Sequence, residues 1–464
     1  MKTENIKLFE LNPSQEVVKL QCTYTLFKKV VNILTSATSN KKIDFSVMEN
    51  AFNMAIERHD CTRLRFVKKN KKLMQYFLPK VTFENIPCVS FNTKEEQDKF
   101  INNQSKKAIK FMKGSVIEPT FINTYDGKQM IFLKVCHLIF DIYGLNYFIK
   151  DLFDLYEHLT NNTPLPETPK KFEELLQKDL IIKHDENKIK RDFDYFEKLL
   201  SSNPEPIYAG FDGGTNKHII KSRAKGKKPA KMFFIKNDTK LFAHSIEKPL
   251  CDKMIEYCKT AHTTIANLLL YIFSVTQSKL NGDVEYLLPL ELCNVRDTLL
   301  AKRCSGTKVQ SLNCLTKVDK NQSFADNLKA FVDRQSENYR HIGMEDMVGQ
   351  VQLHRIYKTS IMTTYYSLTY SFIPYQKSKD VEINFYSNGK CALPAYVAVL
   401  YDFENNTMGI GYDCQTQLIS KNNVSEFHEN LKSCIKQVLN NPNILIKDIK
   451  LKDITNENKN RKRT

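Results

Sequence analysis

The residues of this sequence best suited to acid–base chemistry are His137 and Asp141, four positions apart in the stretch CHLIFDIYG. The apolar run from Met130 to Cys136 predicts a buried strand directly before them. Apolar residues at helical spacing, from Leu145 to Leu159, predict an amphipathic helix directly after them. A side chain between a strand and a helix is held by two rigid elements and can still face a cleft. An imidazole placed there could take a proton from an attacking amine or alcohol.

Two other segments carry grouped charged residues. The stretch ERHDCTRLRF at 57–66 follows a helix predicted at about 47–59 and leads into a predicted hairpin with strands at about 63–67 and 73–78. The stretch NVRD at 294–297 is followed by Gly306.

Together these segments resemble the condensation domains of nonribosomal peptide synthetases and the wider HHxxxDG acyltransferase superfamily. CHLIFDIYG is similar to HHxxxDG, with the second His and the Asp in place, and ERHDCTRLRF is similar to the RHExLRTxF stretch. NVRD with Gly306 is similar to the G-R-D…VGxFVNT region, and the order of the motifs is the same along nearly the whole chain. The resemblance implies an α/β fold of two chloramphenicol-acetyltransferase-like lobes, each a mixed sheet with flanking helices, arranged around a central channel.

The resemblance also implies an activity: an acyltransferase that joins an acyl thioester to an amine or alcohol as an amide or ester. His137 would be the catalytic general base, since an ordinary pKa of ~6.5 leaves it mostly neutral at pH 7. Asp141 would be structural and would pair with an arginine, for which Arg63 is the first candidate and Arg296 the second. The channel-lining candidates are Cys136, Ile142, Tyr143, Gly144 and Arg296. No metal and no cofactor are implied beyond the phosphopantetheine or CoA thioester that carries the acyl group.

Two positions depart from the family's pattern. Cys136 replaces the first His, and a small buried residue can fill that place by packing. Ile142 replaces the Gly after the Asp, where a β-branched side chain narrows the space and resists a positive φ. The alternative function is therefore a catalytically impaired homologue that binds a carrier protein or an acyl chain without turnover.

The charge balance favours acidic partners. Lysine and arginine exceed aspartate and glutamate by 69 − 52 = 17 residues, and with thioester chemistry this predicts an acyl or peptidyl carrier protein as partner, together with a small-molecule acceptor. No recognisable nucleic-acid-binding motif accompanies the basic residues, so nucleic acid is not an expected partner. A solvated loop and tail is the alternative interpretation of the two basic clusters, which are Lys217, Lys221, Arg223, Lys225, Lys227, Lys228 and Lys231, and Lys459, Arg461, Lys462 and Arg463.

The cysteine pattern and the apolar stretches indicate the compartment. The 12 cysteines are spread along the chain without a CxxC pair, which favours reduced thiols and excludes a zinc ribbon or a thioredoxin-type motif. The N-terminus lacks an apolar signal region, and the most apolar stretch, 265–275, is too short for a membrane span. We therefore expect a cytoplasmic protein with no membrane span. We also expect a monomer.

Helices and strands interleave in both halves, which predicts an α/β layered architecture in two lobes. Pro164, Pro166 and Pro169, and a charged helix predicted at about 188–200, mark the division. The expected domains are an N-terminal lobe at 1–175 with the CHLIFD motif, a linker at 176–235 with the charged helix and basic loop, a C-terminal lobe at 236–455 and a basic tail at 456–464.

Overall fold

The computed structural model describes residues 6–23, 28–233, 235–343, 346–375 and 380–452, so the predicted basic tail lies outside the described residues. The helices are α1 Pro13–Thr23, α2 Phe45–Arg58, α3 Lys94–Lys106, α4 Ile142–Asn161, α5 Phe172–Lys183, α6 Glu186–Ser201, α7 Lys217–Arg223, α8 Lys248–Thr260, α9 Ile265–Leu280, α10 Leu299–Lys302, α11 Phe324–Arg340, α12 Asp346–Ile356 and α13 Lys421–Asn440.

The strands are β1 Phe9–Glu10, β2 Asn32–Ser39, β3 Leu64–Lys69, β4 Lys72–Phe77, β5 Cys88–Ser90, β6 Ile117–Asn123, β7 Gln129–Cys136, β8 Ala230–Lys231, β9 Thr239–Ile246, β10 Tyr286–Leu287, β11 Leu290–Asn294, β12 Val309–Asn313, β13 Thr316–Lys317, β14 Thr363–Thr364, β15 Thr369–Tyr375, β16 Val381–Tyr386, β17 Ala395–Asp402 and β18 Thr407–Gln415. The mixed α/β class expected from the sequence is confirmed.

The chain forms two compact units, and each draws on more than one stretch of sequence. Unit 1 consists of Met1–Ile189, Asn294–Gln310 and Lys377–Lys390, and unit 2 of Lys190–Cys293, Ser311–Gln376 and Cys391–Thr464. The boundaries at 175 and 235 stay predictions, but the two later segments of unit 1 were expected in the C-terminal lobe. One of them contains β16, which joins unit 1 because it pairs antiparallel with β2.

Unit 1 is built on a five-stranded sheet in the order β16-β2-β7-β6-β5. The central strand β7 pairs antiparallel with β2 and β6 and is buried from Met130 to Cys136, which explains why its sequence is apolar there apart from Lys134. Helix α4 packs on α2 and buries the apolar side chains Leu145, Phe148, Ile149, Leu152 and Leu155. A smaller sheet, β1-β4-β3, contains the predicted hairpin as β3 and β4. The strand and helix predicted on either side of His137 are therefore confirmed.

Unit 2 is built on a six-stranded sheet in the order β12-β11-β15-β17-β18-β9. Helix α9 is buried from Asn267 to Ser278, a stretch that combines apolar side chains with the buried polar residues Ser274, Thr276 and Gln277. Helix α13 packs against α9 and α8 with its apolar face. Among the described helices, none is both long and apolar enough to cross a membrane.

Candidate active site

His137 lies where β7 ends and the turn before α4 begins. Its backbone N–H donates to the carbonyl of Val31 at 2.8 Å. The preceding residue, Cys136, is fully buried, and His137 is half-buried. The pairing of β7 and the start of α4 therefore fix the position of His137 while part of the residue stays accessible.

The His137 ring is held as one tautomer. Nδ1 lies 2.8 Å from the carbonyl oxygen of Phe140, and because a carbonyl only accepts, Nδ1 carries the proton. Nε2 keeps the lone pair and has no hydrogen-bond partner among the described residues. Burial lowers the pKa of His137 below its ordinary value, and the charge of Asp141 opposes this effect only in part. The result is a neutral imidazole with an open acceptor at Nε2, as a general base requires.

Asp141 holds the loop together. It is the N-cap of α4, where Oδ1 accepts from the backbone N–H of Gly144 at 2.7 Å. Arg296 donates to both carboxylate oxygens, at 2.7 Å to Oδ2 and 3.1 Å to Oδ1. The backbone N–H of Lys308 donates to Oδ2 at 2.8 Å. Asp141 is 5% exposed, and its carboxylate accepts four hydrogen bonds. The carboxylate is therefore occupied and does not compete with His137 for a substrate proton.

The prediction that Arg63 pairs with Asp141 is wrong, and the second candidate, Arg296, is the partner. The Arg63 guanidinium donates instead to three backbone carbonyls, those of Glu57 at 2.7 Å, Leu78 at 3.1 Å and Ile56 at 3.3 Å. It thereby ties the end of α2 to the residue after β4. Arg296 stands 155 residues after Asp141, and no local sequence pattern connects the two.

Arg296 is held from several sides. Its Nη2 donates to the carbonyl of Gly306 at 2.5 Å. Its guanidinium lies 4.6 Å from the ring centroid of Tyr143, a cation–π distance. Arg296 is 7% exposed, so it neutralises Asp141 in the protein interior. Charges interact more strongly there than in bulk water.

Ile142 and Gly144 share the first turn of α4. Ile142 does not have a positive φ, so the expected conflict between a β-branched residue and a glycine conformation does not arise. The glycine that the turn needs is Gly144, because a Cβ there would lie 1.8 Å from the carbonyl oxygen of Ser305. Gly144 is buried, and Ile142 and Tyr143 are half-buried. That these residues and Cys136 line a channel stays a prediction.

Residues after Gly306 complete the support of the loop. The Thr307 hydroxyl donates to the backbone carbonyl of His137 at 2.7 Å. The side chain of Lys308 pairs with the buried Asp179 at 2.7 Å. Thr307 and Lys308 were not predicted as site residues, although both lie directly after Gly306, which belongs to the third motif.

Other reactive groups are scarce at the loop. Burial raises the pKa of the Cys136 thiol, so this cysteine is not a thiolate nucleophile. In the part of the chain that the structure describes, no three His, Cys, Asp or Glu side chains are grouped to hold a metal ion. His137 is the group at this loop whose geometry suits proton transfer.

Comparison with known proteins decides the family. The profile of the Condensation domain family matches residues 9–460, nearly the whole chain. The chain belongs to this family. Condensation domains are acyltransferases of nonribosomal peptide synthesis, and the predicted family and fold class are confirmed. In this condensation domain His137 and Asp141 lie in the stretch CHLIFDIYG, which resembles the HHxxxDG motif.

The similar proteins are distant in sequence. A plipastatin synthase subunit from Bacillus subtilis (strain 168) is 19% identical over 445 residues, 93% of this chain and 16% of that protein. This condensation domain thus spans about a sixth of that relative's length. The starter condensation domain of rhizomide synthetase RzmA, solved as a mutant with C8-CoA, has a TM-score of 0.79 at 13% identity over 96% of this chain and 98% of that one. The first condensation domain of the calcium-dependent antibiotic synthetase has a TM-score of 0.77 at 10% identity over 96% and 99%.

Proposed function

We propose that this condensation domain transfers an acyl group from a thioester to an amine or alcohol and so forms an amide or an ester. The observation that carries the proposal is the His137 ring, whose Nδ1–H is held by the Phe140 carbonyl and whose Nε2 is open. Burial keeps the ring neutral near pH 7, which a base needs before it can accept a proton. Membership of an acyltransferase family supports the same reaction class.

In the proposed reaction, Nε2 of His137 accepts the proton of the attacking N–H or O–H while the nucleophile adds to the thioester carbonyl carbon. The C–S bond then breaks, and the imidazolium returns the proton to the leaving thiolate. The proton balance closes without a covalent enzyme intermediate. The negative charge of Asp141 favours the transient imidazolium, since it raises the pKa of His137 against the effect of burial.

We also propose that the thioester arrives on the phosphopantetheine of an acidic acyl or peptidyl carrier protein, with CoA as the other carrier. The excess of 69 basic over 52 acidic residues supports this. The exposed lysines Lys217 and Lys221 on α7 and Lys231 on β8 support it as well. Burial and then the charges of these three lysines lower the pKa of His218. Such charges act mainly on association rate and salt dependence.

A second candidate is a homologue that binds a loaded carrier protein or an acyl chain but does not turn over. The observation that favours it is Ile142, a half-buried branched side chain in the first turn of α4, where the family motif has glycine. A side chain there would take space beside His137 that an acceptor needs.

The test is acyl transfer by His137→Ala, with His158→Ala at the far end of α4 as matched control. We expect the first variant to lose a factor of about 10² to 10⁴ in rate, because Nε2 of His137 accepts the substrate proton in this proposal. The second variant should match the parent, because His158 lies in the last turn of α4, away from the His137 loop. Equal turnover by His137→Ala at equal melting temperature would remove His137 from the mechanism. A parent that binds a loaded carrier protein but transfers to no acceptor would favour the second candidate.

The donor is tested with one acyl group on CoA and on an acidic carrier protein, each at two ionic strengths. We expect faster transfer from the carrier protein and a loss of that advantage at high salt. Equal efficiency without a salt effect would contradict the carrier proposal.

A further inference from the structure

A second histidine of unit 1, His59, lies at the centre of a buried hydrogen-bond chain that joins three stretches of sequence. Its Nε2 lies 3.0 Å from Oδ2 of Asp151 on α4, and its Nδ1 contacts Oγ of Ser305. Arg58 donates to the same carboxylate, from Nε to Oδ2 at 2.9 Å and from Nη2 to Oδ1 at 3.0 Å. His59 is 1% exposed, Ser305 2% and Asp151 4%, so the chain is sealed from solvent.

The protonation of this chain follows from its partners. Burial would raise the pKa of Asp151, but the hydrogen bonds from His59 and Arg58 hold it below its ordinary value, so Asp151 is a carboxylate that only accepts. Nε2 of His59 therefore carries the ring proton, and Nδ1 accepts from the Ser305 hydroxyl. Burial also lowers the pKa of His59, which keeps the ring neutral. Every hydrogen bond in the chain then has a fixed direction.

The order Ser305, His59, Asp151 is that of a hydrolase triad, but the serine is not placed to attack a substrate. A triad serine needs its Oγ open to the scissile carbonyl. Ser305 is 2% exposed, and its hydroxyl hydrogen is committed to His59. The chain therefore fixes the position of Ser305 and does not make a nucleophile of it.

Ser305 begins a segment, 305–308, that touches the His137 loop at three points. The Ser305 carbonyl lies against Gly144, too close for a Cβ. The Thr307 hydroxyl donates to the His137 carbonyl at 2.7 Å, and the Lys308 N–H donates to the N-cap carboxylate of α4 at 2.8 Å. A shift of Ser305 would therefore pass through Thr307 to His137.

We propose that Ser305 and His59 are positioning residues for His137: their hydrogen bond sets the 305–308 segment, and Thr307 passes that position on to the His137 backbone. The effect on turnover rests on the proposed function, but the effect on the His137 ring does not. A misplacement of about 1 Å at a reacting group costs on the order of 100-fold in rate, so a relaxed segment would be visible in kcat.

The test compares Ser305→Ala with Ser36→Ala. Ser36 is a matched control in unit 1, since it is fully buried on β2 and its Oγ lies 2.9 Å from the hydroxyl of Tyr386. The readouts are kcat, KM for the thioester, the melting temperature, and the pKa of His137 from NMR of ring-labelled histidine, assigned with His137→Gln.

We expect the two variants to lose similar stability. Ser305→Ala alone lowers kcat by about 10- to 100-fold with little change in KM, and it raises the His137 pKa toward its ordinary value because water reaches the loosened loop. An unchanged His137 pKa in Ser305→Ala would overturn the inference, whatever the activity. A parent without transfer activity would count against the proposed function only, because the NMR comparison needs no turnover.

Discussion

The His137 loop of unit 1 and the His428 site of unit 2 both hold an imidazole whose pKa burial lowers, in the case of His428 to about 4. At His428 both ring nitrogens are bonded, Nδ1 to the hydroxyl of Tyr412 at 2.9 Å and Nε2 to the carbonyl of Ser245 at 3.1 Å. At His137 only Nδ1 is bonded. The lowered pKa therefore reports burial in both places, and of these two rings only that of His137 keeps a nitrogen that could accept a substrate proton.

The charges around the two rings also differ: those near His137 favour a protonated ring, and those near His428 oppose one. The carboxylate of Asp141 favours the protonated form of His137. At His428, a second imidazole, that of His244, stacks at 4.5 Å, and its charge lowers the His428 pKa further. The first site can carry a transient positive charge during a reaction, and the second resists one.

The largest effect expected is at the ion pair that supports the His137 loop. Asp141→Ala or Arg296→Ala leaves a buried charge without its partner, which costs about 3 to 5 kcal/mol of unfolding free energy. The double variant loses less than the sum of the two, because it leaves neither charge behind. Urea unfolding in a double-mutant cycle measures this coupling.

Arg63→Ala is the control for that cycle, because Arg63 donates to backbone carbonyls and not to Asp141. The loss of unfolding free energy in Arg63→Ala should add to the loss in Asp141→Ala. Additive losses for Arg296 as well would show that the pair does not hold the loop.

The second effect is on the pH dependence of stability. The folded-state pKa of His428 lies at about 4, below the ordinary 6.5, so the unfolded chain binds the proton first as the pH falls. The contribution of His428 to the free energy of unfolding is fully present above pH 6.5. It is lost as the pH falls from 6.5 to about 4, by up to about 3 kcal/mol.

The measurement is the slope of unfolding free energy between these pH values. His428→Gln is expected to flatten it, and His158→Gln is the control. An equal slope in His428→Gln and the parent would mean that the ring already takes up its proton in the folded chain, and the contrast with His137 would fail.

The smallest effect is expected at Ile142. Ile142→Gly adds freedom to the unfolded chain at a cost of about 1 kcal/mol or less, and it should widen the range of acceptor amines that the parent transfers to. The matched control is Leu299→Gly, since Leu299 is likewise the first residue of a helix and is 66% exposed. The measurement is the transfer rate of the parent and of both variants with slim and with bulky amines. No change in either rate or range would place the Ile142 side chain away from the acceptor.

Periodicity was enough to predict the elements that flank the candidate base. The apolar run of β7 and the helical spacing of α4 both appear as expected. These features depend on residues close in sequence. Helix α2 begins two residues before the predicted start, because its N-cap is Asp44, whose carboxylate accepts from the Ser46 N–H at 2.9 Å.

The contacts that turn His137 into a candidate base could not be predicted in this way. Thr307 is 170 residues from His137, and Arg296 is 155 residues from Asp141. Only the fold brings such residues together, and the family motif marked Arg296 without ranking it above Arg63. The tautomer of His137 depends on a backbone carbonyl, that of Phe140, which has no signature in the sequence.

Because β16 is synthesised long after β2, it limits how unit 1 can fold during synthesis. β16 pairs with β2, and a hydrogen bond from Thr35 to Asn384 spans 349 residues of chain. At about 5 to 20 residues per second, the ribosome needs roughly 20 to 70 s to deliver that partner. Until then the nascent β2 presents an unpaired edge, the feature through which incomplete sheets associate. Co-translational folding of the unit that carries His137 therefore cannot finish until most of the chain has emerged. Until then, the unpaired edge of β2 can associate with other chains.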